Sequence, residues 1–166
     1  MFGNKKGQSA MEYLMTYGWA ILIIAIVLAA LFSLGVFSST SFTGTTCVAS
    51  SGYLCSNPIL HGGAFGATIG QATGTSWTAT ILCFVPSSAT PPASGATSCP
   101  TGTGTGSYTV TNGLASGQSV QASFALSGIS NTAGTVVTGS VWALYATSGS
   151  TPTYSTQIAT ATLKEV

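Results

Sequence analysis

Hydrophobic and polar positions divide the chain into two regimes. From Tyr13 to Phe37 there is no charge and no proline, and Trp19 to Leu31 (WAILIIAIVLAAL) is almost continuously apolar. Such a run predicts one helix, about 35 to 40 Å long at roughly 1.5 Å per residue, against about 30 Å of hydrocarbon in a bilayer. A buried soluble helix is a poor account of it, because one small β-rich domain has too little surface to cover so uniformly apolar a rod. Beyond residue 37 short apolar segments alternate with turns rich in Gly, Ser and Thr. Strands are expected at AFGATIG (64–70), WTATILCFV (77–85), SYTVT (107–111), SVQASFAL (119–126), TGSVWALYA (138–146) and STQIATATL (155–163). Several short strands of this kind predict a β-sandwich, and hence an α+β chain of a long helix followed by antiparallel sheets.

Period-two patterning assigns faces within the strands. Val120, Ala122, Phe124 and Leu126 share one side, opposite Gln121, Ser123 and Ser127. Trp77, Ala79, Ile81, Cys83 and Val85 form an equivalent set. In the segment around Trp142 both sides are apolar, with Trp142 and Leu144 opposing Val141 and Tyr145. That strand is expected to be central, or to meet the helix or a neighbouring subunit on one face. Residues 85–106 are rich in Pro, Gly, Ser and Thr and read as a long surface loop tied down by Cys99, or as an exposed contact loop.

Charge then narrows the partners. Only 3% of the 166 residues are charged and the net charge is +1. A phosphate backbone finds no electrostatic footprint here, so no nucleic-acid partner is expected. Polarity in the second regime is carried by hydroxyls, which hold the same charge state in acid or in varying salt.

The four cysteines, Cys47, Cys55, Cys83 and Cys99, all lie in the hydroxyl-rich part, as expected for disulfides in an oxidising or extracellular setting. Four cysteines allow three pairings. Cys47 with Cys55 and Cys83 with Cys99 closes two local loops, but sequence alone leaves the choice open. A metal site would need a CxxC pair or a histidine cluster, and neither is present.

Lys5 and Lys6 precede the apolar run, and the positive-inside tendency keeps that end in the cytoplasm, delivering residues after about 38 to the exterior. A cleaved secretory signal competes, with Lys5 and Lys6 as its basic region and a cut near Ala29 and Ala30. It explains less, because the apolar run continues through LFSLGVF and Glu12 interrupts the passage from basic to apolar.

The stretch KKG followed by QSAMEYL resembles the class III signal sequence of archaeal type IV pilin-like proteins. That resemblance implies a dedicated prepilin peptidase that cuts between Gly7 and Gln8 and leaves the hydrophobic helix on the mature protein. It also implies that Glu12, four residues beyond the new amine, is met by the N-terminal amine of a neighbouring subunit and sets the axial register of assembly. A carboxylate carried into an apolar bundle needs such a cation. Glu12 can also serve simply as an N-terminal helix residue favoured by the macrodipole.

Ala25, Ala29 and Ser33 recur at four-residue spacing, a small-residue row that lets helices approach closely. The segments SNPIL, ATIGQATGTSW and LASGQSVQASFAL, with Trp142 and Tyr145, are similar to the immunoglobulin-like β-sandwich of the same group. The organisation expected is therefore a leader at 1–7, a membrane and filament-core helix at 8–37, a hinge at 38–46 and a disulfide-stapled sandwich at 47–166.

Catalysis is not expected. There is no Asp or Arg, and the exterior region offers one histidine, His61, read as a polar turn residue, with Lys164 and Glu165 at the far end. A Ser-His-Asp arrangement is impossible, a metal hydrolase lacks ligands, and GTGTG lacks the P-loop lysine, so no cofactor is expected. No N-x-S/T sequon occurs.

What remains is a molecule that polymerises or presents a surface. The resemblance implies a major pilin: a homo-oligomeric cell-surface filament, held in the cytoplasmic membrane as a precursor and built by dedicated assembly machinery for adhesion or surface contact. The alternative is a minor pilin or membrane-anchored adhesin that recognises a surface receptor without forming long fibres.

Overall fold

A computed structural model describes residues 5–37 and 43–166, with helix side chains from residue 11 onward. The chain separates into two compact units, Met1–Phe42 and Thr43–Val166.

The first unit is helix α1, Lys5–Ser33. It begins inside the expected leader and ends four residues short of Phe37. Without proline, every interior amide finds its carbonyl one turn back, and Ala, Leu and Met at many positions favour the helix. Its end is set by Gly35, whose φ of +68° is the left-handed conformation that a side chain disfavours. The Gly35 amide donates to the Phe32 carbonyl (3.1 Å) and the Val36 amide to that of Leu31 (3.3 Å). This pair of bonds caps carbonyls that a helix end otherwise leaves open. The Phe32 and Phe37 rings meet across the turn at 4.9 Å.

The second unit is an antiparallel sandwich. Its strands are β1 (Thr46–Ala49), β2 (Tyr53–His61), β3 (Ala64–Gln71), β4 (Ala79–Pro86), β5 (Gly106–Val110), β6 (Ser119–Ala125), β7 (Val136–Ala146) and β8 (Tyr154–Lys164). One sheet has the order β1-β8-β7-β4-β5 and the other β2-β3-β6. Of the expected hinge, residues 38–42 lie outside the described residues, and Thr46 already belongs to β1.

Between the sheets Phe65 stacks on Phe124 at 5.2 Å and meets Phe84 edge-on at 5.3 Å. Leu60, Ile69, Leu82, Val141, Ile158 and Leu163 complete the fully buried centre. Each large side chain removed from water contributes about 1.5–3 kcal/mol.

The six strands expected from the pattern are present; β1 and β2 were not foreseen. Their sequences, TCVA and YLCSNPILH, alternate weakly, and β2 carries an irregularity between Ser56 and Ile59. There Asn57 adopts φ +52° and Pro58 has no amide to donate, so periodicity is lost.

The face assigned to β6 matches the structure, with Ala122 and Phe124 buried and Gln121 and Ser123 exposed. That assigned to β4 does not. Leu82 and Phe84 enter the central core, while Cys83 and Val85 point to the other side of the sheet. Trp77 precedes the strand and pairs with Leu114 in an isolated bridge. Both faces of β4 are apolar because the segment between β4 and β5 folds over the outer one. The Cys83–Cys99 disulfide pins it there, and Ala89, Ala96 and Cys99, with Trp142 of β7, pack against Cys83, Val85 and Leu144. The same cover explains the two apolar faces of β7, which lies in the middle of its sheet.

The second disulfide, Cys47–Cys55, joins β1 at the edge of one sheet to β2 at the edge of the other. Across the sandwich the Gly104 amide donates to the Ser127 carbonyl (2.5 Å), and the Ser127 amide to that of Thr105 (3.0 Å). Both lateral openings are thus laced. In the chain-entropy account a loop of about 15 residues closed by a disulfide stabilises by about 3 kcal/mol, and Cys83 and Cys99 are 16 residues apart.

Gly139 on β7 lets the adjacent strand β4 of the same sheet, and its Phe84 ring, lie close: an added Cβ would lie 2.5 Å from the Val85 carbonyl oxygen and 2.6 Å from Phe84 Cζ. Because one obstacle is backbone, Gly139→Ala is expected to cost about 3 kcal/mol, read as a lowered urea midpoint of the isolated second unit with an unchanged slope. An unaltered midpoint would show that β4 and β7 yield there.

Candidate functional site: an exposed apolar helix and a clasped β unit

The assembly residues expected from the sequence lie on α1. Gly7 and Gln8, on either side of the expected cut, have helical backbone, and their side chains are not among those described. Glu12, Ala25, Ala29 and Ser33 are exposed, the last three one turn apart along one stripe, with Ser33 the final helical residue. Their neighbours are exposed too: Leu14, Ile21, Ile24, Ile26 and Phe32 are each at least 58% open. The stretch Met11–Ser33 is long and apolar enough to cross a membrane, and none of it is buried. Near its start the Thr16 hydroxyl donates to the Glu12 carbonyl at 2.9 Å, so Thr16 brings no unsatisfied polar group into this surface.

The other acid has the opposite environment. Glu165 is 3% exposed. Its Oε1 accepts from the Gly62 amide (2.5 Å) and its Oε2 lies 3.4 Å from that of Gly63. Both glycines have positive φ, +58° and +72°, which turns successive amides toward one point and makes a small anion-holding concavity. The main chain is held as well: the Glu165 amide donates to the Thr135 carbonyl (2.8 Å), the Gly134 amide to the Glu165 carbonyl (2.9 Å), and the Val166 amide to that of Leu60 (3.3 Å).

His61 is the last residue of β2, beside the turn rather than in it, and its Nδ1–H donates to the Val166 main-chain oxygen at 3.0 Å. The chain end thereby hooks from the five-stranded sheet onto the β2–β3 hairpin. Sequence reasoning left Glu165 as a terminal charge. The available signal was a lone acid directly after a long strand, in a domain whose HGG segment supplies free amides.

A second feature missed by the sequence is Gln71, 2% exposed. Its amide nitrogen donates to the carbonyls of Thr75 (2.7 Å) and Leu114 (2.9 Å), and its oxygen accepts from the Thr73 amide (3.0 Å) and hydroxyl (2.8 Å). All four of its hydrogen-bonding positions are used, so it organises two loops and has nothing left for a ligand.

Nearby, four rings form a ladder: Tyr53 and Trp77 at 6.1 Å, Trp77 and Tyr145 at 4.3 Å, Tyr145 and Tyr154 at 5.5 Å. Burial, then the neighbouring phenols of Tyr53 and Tyr154, push the Tyr145 hydroxyl above its ordinary value.

The depressions in the β unit carry little chemistry. One of about 340 Å³ lies among Thr78, Ile81, Thr109 and Ser150, and none of its lining residues titrates. Among the described residues no group of three His, Cys, Asp or Glu gathers to hold a metal.

Two measurements check these assignments. Glu165→Ala removes a charged acceptor from the part-buried Gly62 amide and the buried Gly63 amide and is expected to cost about 2–3 kcal/mol, with faster hydrogen exchange at Gly62 and Gly63; unchanged exchange would show that the hook is dispensable. For Tyr145 the raised pKa means that the folded phenol keeps its proton longer than the unfolded one. Its contribution is complete below pH 10.0 and is lost as pH rises through the higher folded value. Tyr145→Phe should reduce the fall in stability above pH 10.0, and an identical alkaline limb would contradict the assignment. Comparison of the chain with protein families, curated proteins and solved structures finds no match.

Proposed function

We propose that this chain is the structural subunit of a cell-surface filament of the archaeal type IV pilin-like kind, with α1 in an apolar core and the sandwich in an outer sheath. The observation that carries the reading is an apolar helix exposed on its faces in the same chain as an almost uncharged sandwich with laced openings. Such a helix needs a non-aqueous partner, first lipid and then copies of itself. Lipid is already apolar, so transfer to a bundle must be favoured by close helix packing along Ala25, Ala29 and Ser33 and by a charge partner for Glu12.

The KKGQSAMEYL segment supplies that partner in this reading. Cleavage between Gly7 and Gln8 creates an amine that a neighbour's Glu12 accepts. The leader, the peptidase and the assembly machinery all follow from the resemblance of this segment, and so does the filament itself. In the competing reading, a membrane-anchored adhesin, the sandwich binds a receptor and α1 stays alone in lipid.

N-terminal sequencing of the native protein separates the readings of the apolar run: Gln8 as first residue supports the filament subunit, and a start near residue 31 an exported soluble protein. Glu12→Ala is expected to leave the membrane-held precursor at its normal level while lowering fibre yield about tenfold or more, as loss of a buried charge partner implies. Fibres at normal yield would remove Glu12 from assembly. Purified surface filaments without this chain would favour the adhesin.

A further inference from the structure

The polar-tipped rings of α1 are confined to one short zone. Tyr13, Tyr17 and Trp19 are 64%, 51% and 69% exposed, and the Tyr13 and Tyr17 rings contact each other at 4.3 Å, one turn apart. At about 100° per residue Glu12, Thr16 and Trp19 share one stripe, with Tyr13 and Tyr17 on the next. The zone therefore covers an arc of about 160°, a little under half of the helix circumference. From Ala20 to Phe37 every side chain is Ala, Ile, Leu, Val or Phe, apart from Ser33 and Gly35.

Two depths in a bilayer are compatible with this length. If Met11–Ser33 fills the hydrocarbon, Trp19 falls about 5 Å from the midplane. Tyr13, Thr16 and Tyr17 then lie in lipid tails, while Leu34, Val36 and Phe37, exposed by 76%, 42% and 55%, are left in water. If residues 20–37 fill it instead, the helix as far as Ser33 covers about 21 Å of the roughly 30 Å thickness and the capped apolar turn at 34–37 extends it. Every polar side chain before Ala20 then reaches the headgroups, and the three apolar residues enter the tails. Rings with an apolar body and a polar edge favour that boundary. Lys5 and Lys6 lie on the same side, where anionic headgroups attract them.

We propose that Tyr13, Tyr17 and Trp19 form a band that docks in the headgroup layer of the cytoplasmic leaflet and fixes the depth of the helix. The hydrocarbon boundary then lies near Trp19. Glu12, about 10 Å further out along the axis, stays in the hydrated headgroup layer until the helix leaves the membrane. The inference rests on the membrane-held precursor of the preceding reading and adds its depth and the lipid surface that sets it.

The full chain is reconstituted in phosphatidylcholine and phosphatidylglycerol vesicles containing phosphatidylcholine brominated either just below the headgroup or near the chain ends. The difference in tryptophan fluorescence between the parent and Trp19→Phe isolates Trp19 from Trp77 and Trp142. Quenching of that difference by the shallow bromine at least twofold stronger than by the deep one is expected. Equal or stronger quenching by the deep bromine overturns the depth while leaving the membrane reading intact. Quenching by neither overturns both.

Discussion

An apolar helix that satisfies its own backbone but not its side chains is the constraint on which the rest of this protein turns. Hydrogen bonding along α1 is satisfied within the helix, and its glycine cap takes up the Leu31 and Phe32 carbonyls, so its backbone makes few demands on water. The side chains demand the reverse: large residues from Met11 to Phe37 stand exposed. Water exacts about 1.5–3 kcal/mol for each such side chain left uncovered. Lipid or packed apolar helices can meet a demand of that size over that length. Every functional reading therefore begins with what surrounds the helix.

The second unit solves a different problem, how to hold a sandwich together on a surface almost without charge. Its core is ordinary, centred on Phe65, Phe84 and Phe124. Its margins are less so. A disulfide joins the two sheets at β1 and β2, backbone bonds join the segments beside β5 and β6, and the chain end is hooked onto the β2–β3 hairpin. The other disulfide holds a long segment over the outer face of β4 and β7, turning what would be an exposed apolar sheet face into a second small core. The four edge strands β1, β2, β5 and β6 are thus tied together in pairs at the two sides of the sandwich.

The chain's two carboxylates show how environment divides the same chemistry. Glu165 is buried and answered from within the molecule by the amides of Gly62 and Gly63, so its role is to fasten the fold. Glu12 is exposed on the apolar rod. In the filament reading its answer comes from another copy, and the acid that costs little at a membrane surface becomes a selective requirement inside a bundle.

Much of this was legible in the residues. The helix was, because an unbroken apolar run without proline has one regular solution, and so were six of the strands, where alternation is strong enough to mark a half-buried face. Local loop closure already favoured the cysteine pairing that the structure contains. Three things needed the tertiary structure. The weakly alternating β1 and β2 become strands because β8 and β3 offer them ladders. The inward face of β4 was misread because periodicity cannot say which of two apolar faces meets the other sheet and which is covered by a distant loop. Glu165 was only a charge at the far end of the sequence until the fold brought two left-handed glycines to it. Local pattern determines what one segment can bury by itself, whereas the partner of each buried face or charge comes from elsewhere in the chain and exists only once the sheets have met.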